Sequence, residues 1–121
     1  MLRLSILAVI LGLAVLPARA DTPAAVRDKS TFLKLVDGRA LEIGLYRLTL
    51  KVKGDGKIEG RALGWDITGN WGWKDGLFCR EMDWSGKVIP YNCQLVEAVG
   101  PDRLRFTADA GQGQSAVFRI R

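Results

Sequence analysis

Histidine is absent from all 121 residues, and cysteine occurs only twice. Without imidazole the chain lacks the usual general base at neutral pH and the commonest nitrogen ligand for metals. Serine or cysteine triads and histidine-ligated zinc are therefore excluded. The two cysteines, Cys79 and Cys93, are spaced C-x13-C, which fits neither a C-x2-C redox pair nor a zinc knuckle. Long apolar runs are also scarce. The one present, Leu4 to Leu16, is well short of the roughly 20 residues needed to cross a bilayer, and it stops at Pro17.

That run has another use. A basic start, Met1-Leu2-Arg3, precedes it, and Pro17-Ala18-Arg19-Ala20 puts small residues where signal peptidase needs them. Residues 1–20 thus read as a secretory signal cleaved between Ala20 and Asp21. No cysteine stands near the cut to receive a lipid, and no transmembrane anchor is expected. The product is periplasmic or secreted, a compartment in which Cys79 and Cys93 are expected to form a structural disulfide. Losing the leader removes Arg3 and Arg19, so 18 basic residues become 16 against 13 acidic ones, a net charge of about +3 instead of +5. So mild a bias is no nucleic-acid footprint. About 100 residues remain, enough for one domain that buries about 60–70% of its unfolded surface.

Residues 21–29 are polar and proline-containing and read as a flexible lead-in. Ser30 can cap a short helix, Thr31 to Val36, which Asp37-Gly38 ends. From Arg39 onward turn signals recur at Gly54-Asp55-Gly56, Asp75-Gly76, Ser85-Gly86, Gly100-Pro101-Asp102 and Gly111-Gln112-Gly113, the spacing of an antiparallel meander. The expected domain, 30–121, is mainly all-β. It is a meander of about eight strands, or a small lipocalin-like barrel, with one short N-terminal helix. Closure removes exposed edges; a curved open sheet covered by the helix is the alternative.

Each turn fixes a register, and each register decides which side chains share a face. Folding at Gly54-Asp55-Gly56 opposes Val52 with Ile58 and Lys51 with Glu59. Folding at Gly111-Gln112-Gly113 opposes Ala108 with Ala116, Phe106 with Phe118 and Leu104 with Ile120. Asp75-Gly76 suits a two-residue type I′ turn and opposes Trp73 with Phe78, Trp71 with Arg80, Gly69 with Met82 and Ile67 with Trp84. A direct Cys79–Cys93 pair then sets Arg80 against Asn92 and Phe78 against Gln94. Tyr91 and Leu95 join the cysteines on the other face. Both faces are partly apolar, so alternation leaves open which is the core.

Trp71, Trp73, Phe78, Arg80, Trp84, Asn92 and Gln94 form the candidate ligand-binding set. A guanidinium among indoles, with two amides nearby, suits a barrel-mouth pocket for a small molecule with an acidic or polar end. The plainer reading is that the tryptophans fill a small barrel and Arg80 packs over them. The last hairpin places Arg105 opposite Arg119 and Arg103 opposite Arg121, a candidate patch for an acidic macromolecular partner; solvated arginines near a chain end are the plainer reading. Glu81 and Asp83 share a strand face as a possible acid/base pair, or simply as a solvated face.

The run Gly69-Asn70-Trp71-Gly72-Trp73-Lys74-Asp75-Gly76-Leu77-Phe78-Cys79-Arg80, with Trp84 and Tyr91-Asn92-Cys93-Gln94, resembles short exported alphaproteobacterial proteins that often carry the label dihydrodipicolinate reductase. The residues do not support that label. A nicotinamide-dependent reductase needs a nucleotide-binding βαβ unit with its glycine fingerprint, and none is present. A looser, architectural likeness is to small periplasmic barrel inhibitors of secreted metalloproteases, whose N-terminal segment enters the protease cleft. The expectation is a non-enzymatic exported binding or interaction protein without a cofactor or metal, taking a small molecule or an acidic macromolecule. A protease inhibitor acting through residues 21–29 is the alternative.

Overall fold

In the computed structural model, residues 12–13 and 22–121 are described. Apart from Gly12 and Leu13, the expected leader lies outside the described residues, as does its cleavage point before Asp21. No helix among the described residues is long and apolar enough to cross a membrane.

The elements are β1 (Ala24–Ala25), α1 (Lys29–Val36), β2 (Leu41–Ile43), β3 (Leu48–Val52), β4 (Lys57–Ala62), β5 (Trp65–Lys74), β6 (Leu77–Trp84), β7 (Lys87–Val99), β8 (Arg103–Thr107) and β9 (Ser115–Ile120). Strands β2 to β9 pair with their sequence neighbours, all antiparallel. The ring closes where Leu41 and Glu42 of β2 pair with Ile120 and Arg119 of β9. The expected meander is thus a closed eight-stranded up-and-down barrel, an arrangement that leaves no long unpaired edge.

Two of the three hairpin registers are as read from the sequence. Val52 faces Ile58 and Lys51 faces Glu59, although the ion pair to Glu59 comes from Lys53, at 2.9 Å. Trp73–Phe78, Trp71–Arg80, Gly69–Met82 and Ile67–Trp84 are all paired, and Asp75 and Gly76 both have positive φ, as a type I′ turn requires. The last hairpin differs by two residues. Leu104 faces Phe118, Phe106 faces Ala116 and Arg105 faces Val117. Its connection is not a three-residue turn but a loop from Ala108 to Gln114, closed by Ala108 N–H to Gln114 O and Gly113 N–H to Ala108 O. Asp109, Ala110 and Gly111 all take positive φ within it. A shift of two preserves the side-chain alternation, so Leu104, Phe106, Phe118 and Ile120 still point inward and are buried.

The ambiguity of the central strands is resolved by burial. Ile67, Trp71 and Phe78 join Leu41, Leu50, Val52, Ile58 and Val96 in one core, so the face carrying the tryptophans and Arg80 is the interior. The Cys79–Cys93 bridge, with a Cα separation of 3.9 Å, ties β6 to β7 from outside. Gly60 has no side chain for a steric reason: a Cβ there would run into the Thr49 carbonyl oxygen of β3, and such close backbone approach lets the sheet bend tightly around a small barrel.

Helix α1 plugs one end. Phe32 and Val36, one helical turn apart, are fully buried. The Phe32 ring centroid lies 5.6 Å from Trp71, 5.0 Å from Trp73, 5.3 Å from Phe78 and 6.3 Å from Phe106. The helix begins before the expected Ser30 cap; Asp28 takes the capping position without a side-chain hydrogen bond. It ends as expected, with Asp37 N–H bonded to Leu33 O. The segment read as a flexible lead-in is tied down from Ala24 onward. Ala24 and Ala25 pair with Ala98 and Glu97 of β7, Val26 is buried and donates to Val96 O, and Arg27 O accepts the Trp73 indole N–H at 2.8 Å. Buried backbone wants a partner, and the barrel edge of β7 beyond β6 supplies it.

Candidate functional site

A cavity of about 160 Å3 occupies the barrel interior beneath the helix plug. Its walls are apolar: Leu41, Leu50, Val52 and Ile58 on one side, Phe106, Ala116 and Phe118 on another, with Phe78 and Met82 between. Among the described residues two polar side chains line it, Arg80 from β6 and Gln94 from β7. They are diagonal neighbours, because Arg80 stands opposite Asn92 and Phe78 opposite Gln94.

A bulge holds Arg80 in place. The two-residue turn at Ser85-Gly86 pairs Trp84 with Lys87 and Met82 with Ile89, whereas the disulfide end pairs Cys79 with Cys93. One extra residue on β7 reconciles the two, so Pro90 and Tyr91 together face Glu81. Proline has no N–H to offer the ladder and is at home in such a bulge. Its carbonyl turns to accept Arg80 Nη1–H at 2.7 Å. That is the one hydrogen bond of the Arg80 side chain among the described residues, and no carboxylate pairs with it. Burial lowers the guanidinium pKa from its ordinary value, yet the group stays charged at any ordinary pH. The Gln94 amide has no hydrogen-bond partner among the described residues. The cavity therefore holds a cation with most of its five donors unused, next to an uncommitted amide, within apolar walls.

The other expected ligand residues lie elsewhere. Trp71 and Trp73 face inward but pack against Phe32 at the plugged end, and Trp71 donates its indole N–H to Lys53 O at 2.7 Å. Trp84 sits near the opposite end, donating to Ala62 O at 3.1 Å. Neither expected cation–indole contact involves Arg80; the cations over Trp71 and Trp84 are Lys29 and Lys87, at 5.4 and 6.0 Å. Asn92 is a clamp. Its Nδ2 donates to Asp109 Oδ1 at 2.7 Å and its Oδ1 accepts Asp109 N–H at 2.9 Å, fixing the strained loop. Of the seven residues, Phe78, Arg80 and Gln94 line the cavity. The aliphatic walls from β2, β3 and β4 were missed, although their alternation was readable.

The arginine patch changes character with the register. Neither expected pair forms: Arg103, not Arg105, faces Arg119, and Arg105 faces Val117 and is held by Glu97 at 2.9 and 3.1 Å. Arg121 pairs with Glu42 at 2.9 Å, Arg103 lies 3.9 Å from Asp102, and Arg119 stands opposite Glu42. Acids interleave the arginines, so the bare anion-binding surface is not formed. Asp83 accepts Gly86 N–H at 2.8 Å and shapes a turn, which leaves no acid/base pair with Glu81. No group of three or more metal-ligating side chains occurs among the described residues.

A scan of family models and searches of curated proteins and solved structures gave no match to the chain.

Proposed function

We propose that the protein is an exported, non-enzymatic carrier or binding protein whose barrel cavity takes a small apolar molecule bearing one anionic group. The observation that carries this reading is Arg80. A charged side chain drawn into an apolar cavity costs free energy unless it is paired. Here one carbonyl is its hydrogen-bond partner among the described residues, and its other four donors are uncommitted. A carboxylate matches that planar fork bidentately, and Gln94 can donate to the same oxygen pair. The walls fit a hydrocarbon body, and an apolar protein cavity of about 150 Å3 is large enough to accept benzene. A monocarboxylate about the size of one aromatic ring is the preferred ligand.

The protease-inhibitor alternative needs an N-terminal segment free to enter a cleft. From Ala24 that segment is paired to β7 and buried at Val26, which favours the cavity. Native mass spectrometry of the protein taken from its own cells tests the reading. A retained small adduct, lost in Arg80→Met, is expected; bare polypeptide mass in both would refute it.

A further inference from the structure

The barrel has two unlike ends. Helix α1 seals the one that holds the turns at Gly54–Gly56 and Asp75–Gly76. Strand alternation gathers the Gly44–Arg47, Leu63–Gly64 and Ser85–Gly86 turns, with the Ala108–Gln114 loop, at the other. Two turns of this open end present large apolar side chains to water: Leu45 and Tyr46, then Leu63 and Trp65, with exposures of 83, 56, 55 and 64%, whereas the exposed Val88 lies on the outer wall opposite Asp83. Beyond these, the disulfide strand's Tyr91 and Val117 of β9, no large apolar side chain of the barrel is as exposed. Leu63 and Trp65 continue into a shallow groove with Trp84, Ser85 and Lys87. Apolar exposure concentrated at one end of the barrel in this way marks an interaction surface rather than ordinary scatter.

The rim's charges point to the occupant. Asp66 is taken by Arg61, at 3.2 Å, and Asp83 by the Gly86 N–H. Arg47, which the β3–β4 register places beside Leu63, makes no ion pair among the described residues, and neither does Lys87, whose ammonium lies over the Trp84 ring. Asp109, in the loop at this end, accepts from Asn92; these carboxylates keep their charge, and the charged groups here without a hydrogen bond or ion pair among the described residues are Arg47 and Lys87. Tryptophan and tyrosine beside leucine, flanked by lysine and arginine, is the composition that seats in the headgroup region of an anionic bilayer. We infer that the open end docks on an anionic lipid surface through Leu45, Tyr46, Leu63 and Trp65, steered by Arg47 and Lys87. A mouth on the bilayer would give an apolar ligand a path that avoids water.

The test is co-sedimentation and tryptophan fluorescence with vesicles of phosphatidylcholine alone or in an equimolar mixture with phosphatidylglycerol. It uses protein whose intact mass shows a start at Asp21, so that the apolar leader contributes nothing. Binding to the anionic vesicles, with a blue-shifted emission, is expected. A Leu63→Ser, Trp65→Ser double variant should lose about tenfold or more in partitioning. Arg47→Gln and Lys87→Gln should each lose about fivefold on anionic vesicles. Arg80→Met should bind vesicles as wild type does, which keeps this test separate from the cavity. Equal partitioning of wild type and the double variant, or none by wild type, would overturn the inference. So would a concentration-dependent dimer abolished by the same double variant without vesicle binding, which would make the rim a self-association surface.

Discussion

Replacing Arg80 with methionine separates binding from folding, since the side chain keeps an unbranched apolar stem and loses its charge. In the fold it donates one hydrogen bond, to Pro90 O, and has no carboxylate partner among the described residues. A hydrogen bond from a charged donor contributes about 1.5–3 kcal/mol. The desolvation that lowers this guanidinium's pKa acts in the opposite sense, and hydrophobic replacements of buried charges are neutral to stabilising by about 1–4 kcal/mol. At partial burial the two effects nearly cancel, so denaturant unfolding should place Arg80→Met within about 1 kcal/mol of wild type or above it. Binding should respond quite differently. A carboxylate held by a desolvated guanidinium loses at least about 2 kcal/mol when that cation is removed, about 30-fold in affinity. Calorimetric titration with benzoate and with benzyl alcohol isolates the charge, because the two share a ring. Wild type should prefer benzoate by about that factor, and Arg80→Met should abolish the preference while still admitting the alcohol. Equal affinities in wild type would refute the reasoning, as would a severe loss of stability in the variant with the preference intact.

Four further outcomes follow from the packing. Phe32→Ala removes the plug from among four aromatic rings and should cost about 3–5 kcal/mol by denaturant titration; a loss below 1 kcal/mol would mean that the helix is not needed to seal the barrel. Gly60→Ala drives a Cβ against the Thr49 backbone and should destabilise by about 1–3 kcal/mol or more, whereas Gly72→Ala, with open space around it, serves as a control of much smaller effect. Reducing the Cys79–Cys93 bridge, which closes a loop of about 15 residues, should lower stability by roughly 3 kcal/mol, read as a shift in urea midpoint. Glu59 raises the Lys53 pKa above 10.5 through a hydrogen bond and then by charge. A raised lysine pKa contributes stability below 10.5 that is lost as pH rises through the folded value. The stability gap between wild type and Glu59→Gln should therefore shrink in strongly alkaline buffer, and a gap that widens there would contradict the pairing.

Much of the barrel was legible because its turns are chemically explicit. Asp75-Gly76 permits one compact turn and carries eight residue pairs into register with it, and the cysteine pair extends that register to β7. The last hairpin was misread because Gly111-Gln112-Gly113 looks like the turn, whereas Asp109 and Ala110 adopt positive φ under the grip of Asn92, a contact no local pattern encodes. The site was half legible. Arg80 and Gln94 were placed on one face, but the tryptophans were credited to the pocket. Their indole N–H groups are committed to Lys53, Arg27 and Ala62 carbonyls, partners supplied by segments distant in sequence. The bulge at Pro90 was latent in the sequence: a two-residue turn at Ser85-Gly86 and a direct Cys79–Cys93 pair differ in register by one residue, and a proline lies between them.

The central claim is that the Arg80 guanidinium faces an apolar cavity and receives an anion there. Nitrogen-15 and methyl NMR of the protein during a benzoate titration reads it most directly. The Arg80 Nε–H resonance should move together with the methyls of Leu50, Val52 and Ile58 and saturate at one common affinity, while benzyl alcohol moves the methyls alone. Shifts confined to the outer arginines Arg103, Arg105, Arg119 and Arg121, with Arg80 and the interior methyls unmoved, would contradict it.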